Sequence, residues 1–104
     1  MDQPDATEER TLAYVRKNRV GGHEYYQLVE TQRVDGKRRQ KMLVHLGRYP
    51  SVDEALKKWP MRIELSRRSL SRYPKKLQPR RERRIDAEEE RLATLRQLRE
   101  QGVA

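Results

Sequence analysis

Residues 25–47, YYQLVETQRVDGKRRQKMLVHLG, decide the fold. Two strand-like runs flank Asp35-Gly36, a pair that favours the positive φ angles of a two-residue hairpin turn. Arg33, Lys37, Arg38, Arg39 and Lys41 crowd the turn. Alternation puts Met42, Val44 and Leu46 on one side of the second run, with Arg39, Lys41, Leu43 and His45 on the other. In the first run Tyr26, Leu28 and Glu30 share a side, opposite Tyr25, Gln27, Val29, Thr31 and Arg33. The pattern describes a hairpin packed on both sides at its base, with its turn end projecting into solvent.

Working outward, Thr11–Lys17 forms a first strand, with Leu12, Tyr14 and Val15 as its β-formers. Gly21-Gly22 supplies the turn into a second strand over His23–Arg33, and the third runs over Lys37–Leu46. Three such strands make an antiparallel meander, which needs a cover on one face. Ser51 and Glu54 match a capping box, so a helix starts there. It passes through Ala55, Leu56 and Trp59 until Pro60 kinks or stops it, or opens a second helix over Met61–Arg72. Leu56, Trp59, Ile63 and Leu70 follow helical spacing and are the expected cover, which makes Trp59 a core residue. Residues 74–79 read as a breaker-rich linker. Arg80–Gln101 reads as one long helix closed by Gly102. Its thin stripe of Ile85, Leu92, Leu95 and Leu98 either docks on the body or pairs with another chain.

The fold class is therefore α+β: a three-stranded antiparallel β-meander covered by one or two helices, followed by a long C-terminal helix. The expected divisions are an acidic, disordered leader (1–10), a meander-plus-helix module (11–73), the linker (74–79) and the C-terminal helix (80–104).

Composition limits what such a fold can do. Of 104 residues, 39% are charged and 34% hydrophobic, with one Trp and no Phe, so the core is small. Without cysteine there is no disulfide and no thiol chemistry, which suits a cytoplasmic protein. No apolar run reaches the roughly 20 residues of a membrane span. The N-terminal MDQPDATEER has no hydrophobic segment, unlike a signal peptide. The net charge of +9 is concentrated in the middle: residues 11–84 are basic, while residues 1–10 and 85–104 are mildly acidic. That distribution suits one polyanion-binding surface, and arginine, the favoured phosphate and guanine partner, outnumbers lysine by more than two to one.

Catalysis has few candidate groups. His23 and His45 have no cysteines or spaced carboxylates to complete a metal set, and neither a phosphate-cradling glycine motif nor a nucleophile elbow occurs. Neither an enzymatic activity nor a cofactor is implied. Binding has more to offer. A two-stranded ribbon fits the major groove, where Arg and Lys pair with guanine and Gln with adenine. Arg33, Lys37, Arg38, Arg39, Gln40 and Lys41 are the candidates on the hairpin. Lys57, Lys58, Arg67, Arg68, Arg72, Lys75 and Lys76 suit phosphate contacts that set orientation. Arg80, Arg81, Arg83 and Arg84 open the last helix, where the helix dipole disfavours cations, so a contact role competes with that of a solvated basic face. Tyr25 and Tyr26 either pack in the sheet or stack on bases.

The run EYYQLVETQRVDGKRRQKMLVHLGRYPSVDEA, with Gly36, Lys37, Arg39, Gln40, Leu43, Leu46 and Gly47 at fixed spacing, resembles the N-terminal region of certain DDE-class insertion-sequence transposases. The likeness covers about residues 13–55 and leaves the C-terminal helix outside it. It implies a DNA-binding module, here standing alone without an RNase H-like catalytic domain or its acidic triad. In layout the chain also looks like the sheet-plus-helix modules with which recombinases grip arm sites. The expected function is thus binding of double-stranded DNA, in favour over RNA, in a nucleoid- or ribosome-associated setting. The alternatives are an RNA or ribosome-associated factor, or an adaptor using the Ile85–Leu98 stripe.

Overall fold

The computed structural model describes residues 13–104. The acidic leader expected over residues 1–10, and the start of the first strand at Thr11, lie outside the described residues. Three antiparallel strands, β1 (Ala13–Val20), β2 (His23–Val34) and β3 (Lys37–Gly47), form a sheet of order β1-β2-β3. Two helices follow, α1 (Val52–Arg68) and α2 (Gln78–Glu100), with a 3₁₀ turn at Leu70–Arg72 between them. This is the expected α+β meander with a long C-terminal helix.

Both hairpin turns are set by local chemistry. Asp35 and Gly36 take φ of 53° and 78°, and Gly21 and Gly22 take 57° and 83°. Paired left-handed residues match the right-handed twist of the flanking strands, so neither turn splays them.

The sheet departs from simple alternation at two places. Leu28 pairs with Val44 but Val29 pairs with Met42, so Leu43 is an extra residue in β3; a second shift lies between Tyr26 and Gln27. A bulge of this kind moves every side chain beyond it to the other face. Met42 therefore does not share a side with Val44 and Leu46, as strict alternation predicts; it lies beside Val29, on the face away from the helices. Arg39 and Lys41 change faces with it. Leu28, Val44 and Leu46 point into the helix-side core, while Val29, although fully buried, lies outside that core.

The core is a single cluster joining sheet and helices. It contains Leu28, Val44, Leu46, Tyr49, Val52, Ala55, Trp59, Ile63, Ile85, Leu92 and Leu95. Helix α1 is anchored by Ser51, whose Oγ accepts from the Glu54 N–H at 3.1 Å. Glu54 turns its own carboxylate to Lys58, at 3.1 Å, so only the forward half of the capping box is seen. Pro60 neither ends α1 nor begins a new helix; the helix runs through it. Ala55, Trp59 and Ile63 are all buried at four-residue spacing around it. Burial of that stripe offsets the roughly 3 kcal/mol that an interior proline costs. Pro79, which reads as a breaker, sits in the first turn of α2, where a missing N–H costs little. The helix thus starts two residues before Arg80.

The two helices run antiparallel, with Arg99 bonded to Asp53 at 2.7 Å at one end and Arg67 to Asp86 at 2.8 Å at the other. The α2 backbone comes closer to β3 than that of α1 does. Ile85, Leu92 and Leu95 are buried, and Leu98 packs against the same core. The stripe thus docks within the chain, one of the two fates expected of it. Gly102, at φ 79°, closes α2, and the Val103 N–H returns to the Leu98 carbonyl at 2.9 Å.

Candidate nucleic-acid interface

Beyond the core the β2–β3 hairpin continues as a two-stranded ribbon. Every residue from Arg33 to Met42 is exposed. Cross-strand partners share a face, so the register sorts the hairpin candidates into two sets. Arg33 faces Arg38 and Thr31 faces Gln40, on the side away from the helices; Lys37, Arg39 and Lys41 face Val34, Gln32 and Glu30 on the other side. Among the described residues none of these five cations is in an ion pair. The ribbon therefore presents charge on both faces.

The open face of the sheet continues the first set toward β1. Gln27 Oε1 accepts from Arg16 Nη2 at 2.8 Å and from Asn18 Nδ2 at 2.9 Å. Arg16 also donates to Gln40 Oε1, and the Gln40 amide donates to the Tyr14 hydroxyl. These bonds cross all three strands and hold planar amide and guanidinium groups against the sheet. Of this set the sequence singled out only Gln40. Arg16 and Gln27 belong to strands whose contact is set by register, so nothing in their local sequence marks them.

The helical candidates divide by what already holds them. Lys58 and Arg68 are tied one turn back to Glu54 and Glu64, at 3.1 and 2.9 Å. Arg67 bridges to Asp86 and Glu89 on α2, and these carboxylates, Glu89 foremost, raise its pKa above the ordinary arginine value. Its fork clamps the two helices together. Arg81 lies over the Tyr73 ring, 3.7 Å from its centroid. Lys57, Arg72, Lys75, Lys76, Arg80, Arg83 and Arg84 make no ion pair among the described residues, and all are exposed. They lie far along the chain from the hairpin turn, on α1, the connection and the first turns of α2.

Where α1 and α2 meet the base of the sheet there is a cleft of about 530 Å³. Arg48, Arg62, Arg81, Arg84 and Arg91 line it, with Glu88 as its one carboxylate among the described residues. The Trp59 indole donates to that carboxylate at 3.0 Å, and the ring itself is buried against Tyr49, consistent with its reading as core. Tyr25 stands half exposed at the cleft wall, whereas Tyr26 packs against the core. Arg48, Arg62 and Arg91 escaped sequence reasoning because they are single cations from three separate elements.

Among the described residues no group of three or more His, Asp or Glu side chains could hold a metal ion. No helix there is long and apolar enough to cross a membrane.

A family model described as the N-terminal domain of IS1634 family transposases matches residues 12–100. The match takes in α2, so the family likeness extends well beyond the hairpin region that suggested it. No curated protein matches the chain, and no solved structure does.

Proposed function

Since the chain belongs to the family of IS1634 transposase N-terminal domains, we propose that it binds double-stranded DNA, with the β2–β3 ribbon entering the major groove. The observation that carries this reading is the fully exposed turn end, with Arg33, Lys37, Arg38, Arg39 and Lys41 unpaired among the described residues. Two strands about 5 Å apart fit a groove about 12 Å wide. Arg33, Arg38 and Gln40, on one face, have the donors and acceptors that read guanine and adenine edges. The network behind them extends that surface with Arg16 and Gln27. Lys57, Arg72, Lys75, Lys76, Arg80 and Arg83 suit phosphate contacts that add affinity without reading sequence. The matched region is the N-terminal domain, and the role here is recognition rather than chemistry.

Duplex binding measured by fluorescence anisotropy across a salt series tests the reading. Log affinity should fall linearly with log salt, and replacing Arg39 and Lys41 together by alanine should reduce the slope by about 2. Unchanged affinity in that double variant, and also in Arg33→Ala/Arg38→Ala on the opposite face, rejects the hairpin as the contact. Competition with structured RNA tests the ligand: a preference for RNA above about tenfold, or 1.4 kcal/mol, replaces DNA with RNA as the partner.

A further inference from the structure

We propose that the arginine-lined cleft is a second nucleic-acid site, which takes one unpaired nucleotide with its phosphate rather than duplex. The inference rests on the nucleic-acid reading above, but none of its residues lies on the hairpin tip. Arg48 from the turn just after β3, Arg62 from α1 and Arg81, Arg84 and Arg91 from α2 converge on one concavity. Their charges repel one another, and among the described residues one carboxylate, Glu88, lines the cleft against five cations. An anion relieves that repulsion, and guanidinium forks match phosphate oxygens two at a time.

Shape then selects the form of the anion. The cleft, at about 530 Å³, is concave and too small for a duplex, but it accommodates a single nucleotide. Its wall offers an exposed aromatic surface in Tyr25, and the Tyr73 ring carries Arg81 at 3.7 Å. Aromatic faces beside cations are the recurring platform for unstacked bases, and they tolerate any base because every base has a π-face. A paired base inside duplex DNA offers no such face, so the ligand is a strand end or an internal unpaired nucleotide.

The experiment uses the full chain and four DNAs of the same sequence: a blunt duplex, a duplex with a short 5′-phosphorylated overhang, the same overhang dephosphorylated, and a duplex with one internal unpaired nucleotide. Arg62→Ala/Arg91→Ala alters two exposed cleft cations, and circular dichroism checks that it folds. The full chain should bind the phosphorylated overhang or the internal unpaired nucleotide about tenfold more tightly than blunt duplex. Whichever of the two is preferred identifies the source of the nucleotide. Loss of the preference without the 5′-phosphate assigns the anion to the strand end. The cleft variant should lose the preference while its blunt-duplex affinity stays within about twofold. Equal binding of all four DNAs, or a preference that survives in the cleft variant, overturns the proposal. The hairpin variant Arg39→Ala/Lys41→Ala separates the two readings: it should weaken binding of every DNA but keep the preference. A preference seen with unchanged blunt-duplex binding in that variant and in Arg33→Ala/Arg38→Ala rejects the hairpin reading alone.

Discussion

Arg33 and Arg38 sit directly opposite each other across the β2–β3 ladder, two guanidiniums on one face with no carboxylate between them. Like charges at directly opposed positions destabilise a sheet by a few tenths of a kcal/mol to about 1 kcal/mol. A turn end built for stability alone would place opposite charges there. Arg38→Ala should therefore leave the urea midpoint unchanged or slightly raised, while weakening duplex binding by about 1–3 kcal/mol. Urea unfolding and anisotropy on the same preparation check both halves. A clear loss of stability would show that the pair serves the fold.

The turn that aims this pair is equally specific. Gly36 has φ of 78°, a region that costs an L-residue with a side chain about 1–2 kcal/mol. Gly36→Ala should destabilise the protein by that amount, although a Cβ there meets nothing within 4 Å. The strain is in the backbone rather than in packing. Gly36→Asn, a residue that tolerates the left-handed region, should restore much of the loss, and thermal melts of the two variants make the comparison.

These two features were legible because local chemistry fixes them: Asp35-Gly36 dictates its turn, and a cluster of cations beside it needs no tertiary information. The Ser51 cap and the Gly102 stop were legible for the same reason. The bulge at Leu43 was not. Strict alternation placed Met42 with Val44, and only the pairing of Val29 with Met42 and of Leu28 with Val44 reveals the extra residue. Pro60 misled in the opposite direction, because a strong local preference was overridden by the burial of Trp59 and Ile63 on either side of it. The cleft arginines were invisible for a third reason, since Arg48, Arg62 and Arg91 come together only when three elements dock.

Trp59 joins the core to the edge of that cleft, being 3% exposed with its indole N–H on Glu88 at 3.0 Å. Trp59→Ala removes the largest side chain of a small core and should cost roughly 3–5 kcal/mol, enough to unfold a marginal domain. Trp59→Phe keeps most of the apolar contact and loses the indole donor, so its loss should be smaller. Denaturant titration followed by far-ultraviolet circular dichroism ranks the two, and equal losses would place the main contribution in the Glu88 bond.

Arg67 tests how the helices are held together. Its guanidinium bridges Asp86 and Glu89, and its raised pKa keeps it cationic throughout the accessible pH range. The side chain is about one-third exposed, so salt screens the clamp. Arg67→Ala should lower the melting temperature at low ionic strength, with the deficit shrinking as salt is added. A deficit independent of salt would assign the effect to packing of the arginine stem instead.

The open face of the sheet allows the most discriminating experiment. Arg16 reaches both Gln27 and Gln40, so three planar groups on three strands are held in one arrangement before any ligand arrives. Groups fixed in advance lose less entropy on binding and read base edges with less tolerance for the wrong base. Among the described residues Arg16 Nε is buried without a hydrogen-bond partner, so the side chain is not optimised for folding. Arg16→Met should consequently change stability by less than about 1 kcal/mol, since it removes that unpaired donor along with two partly exposed bonds. Its effect on DNA should appear in selectivity. With Gln40 held by Tyr14 alone, the ratio of affinities between a selected site and random duplex should fall, while the salt dependence stays within one phosphate contact of the parent. A variant that loses affinity for both DNAs equally would show Arg16 to be a phosphate contact, and the open face would then carry charge rather than sequence recognition.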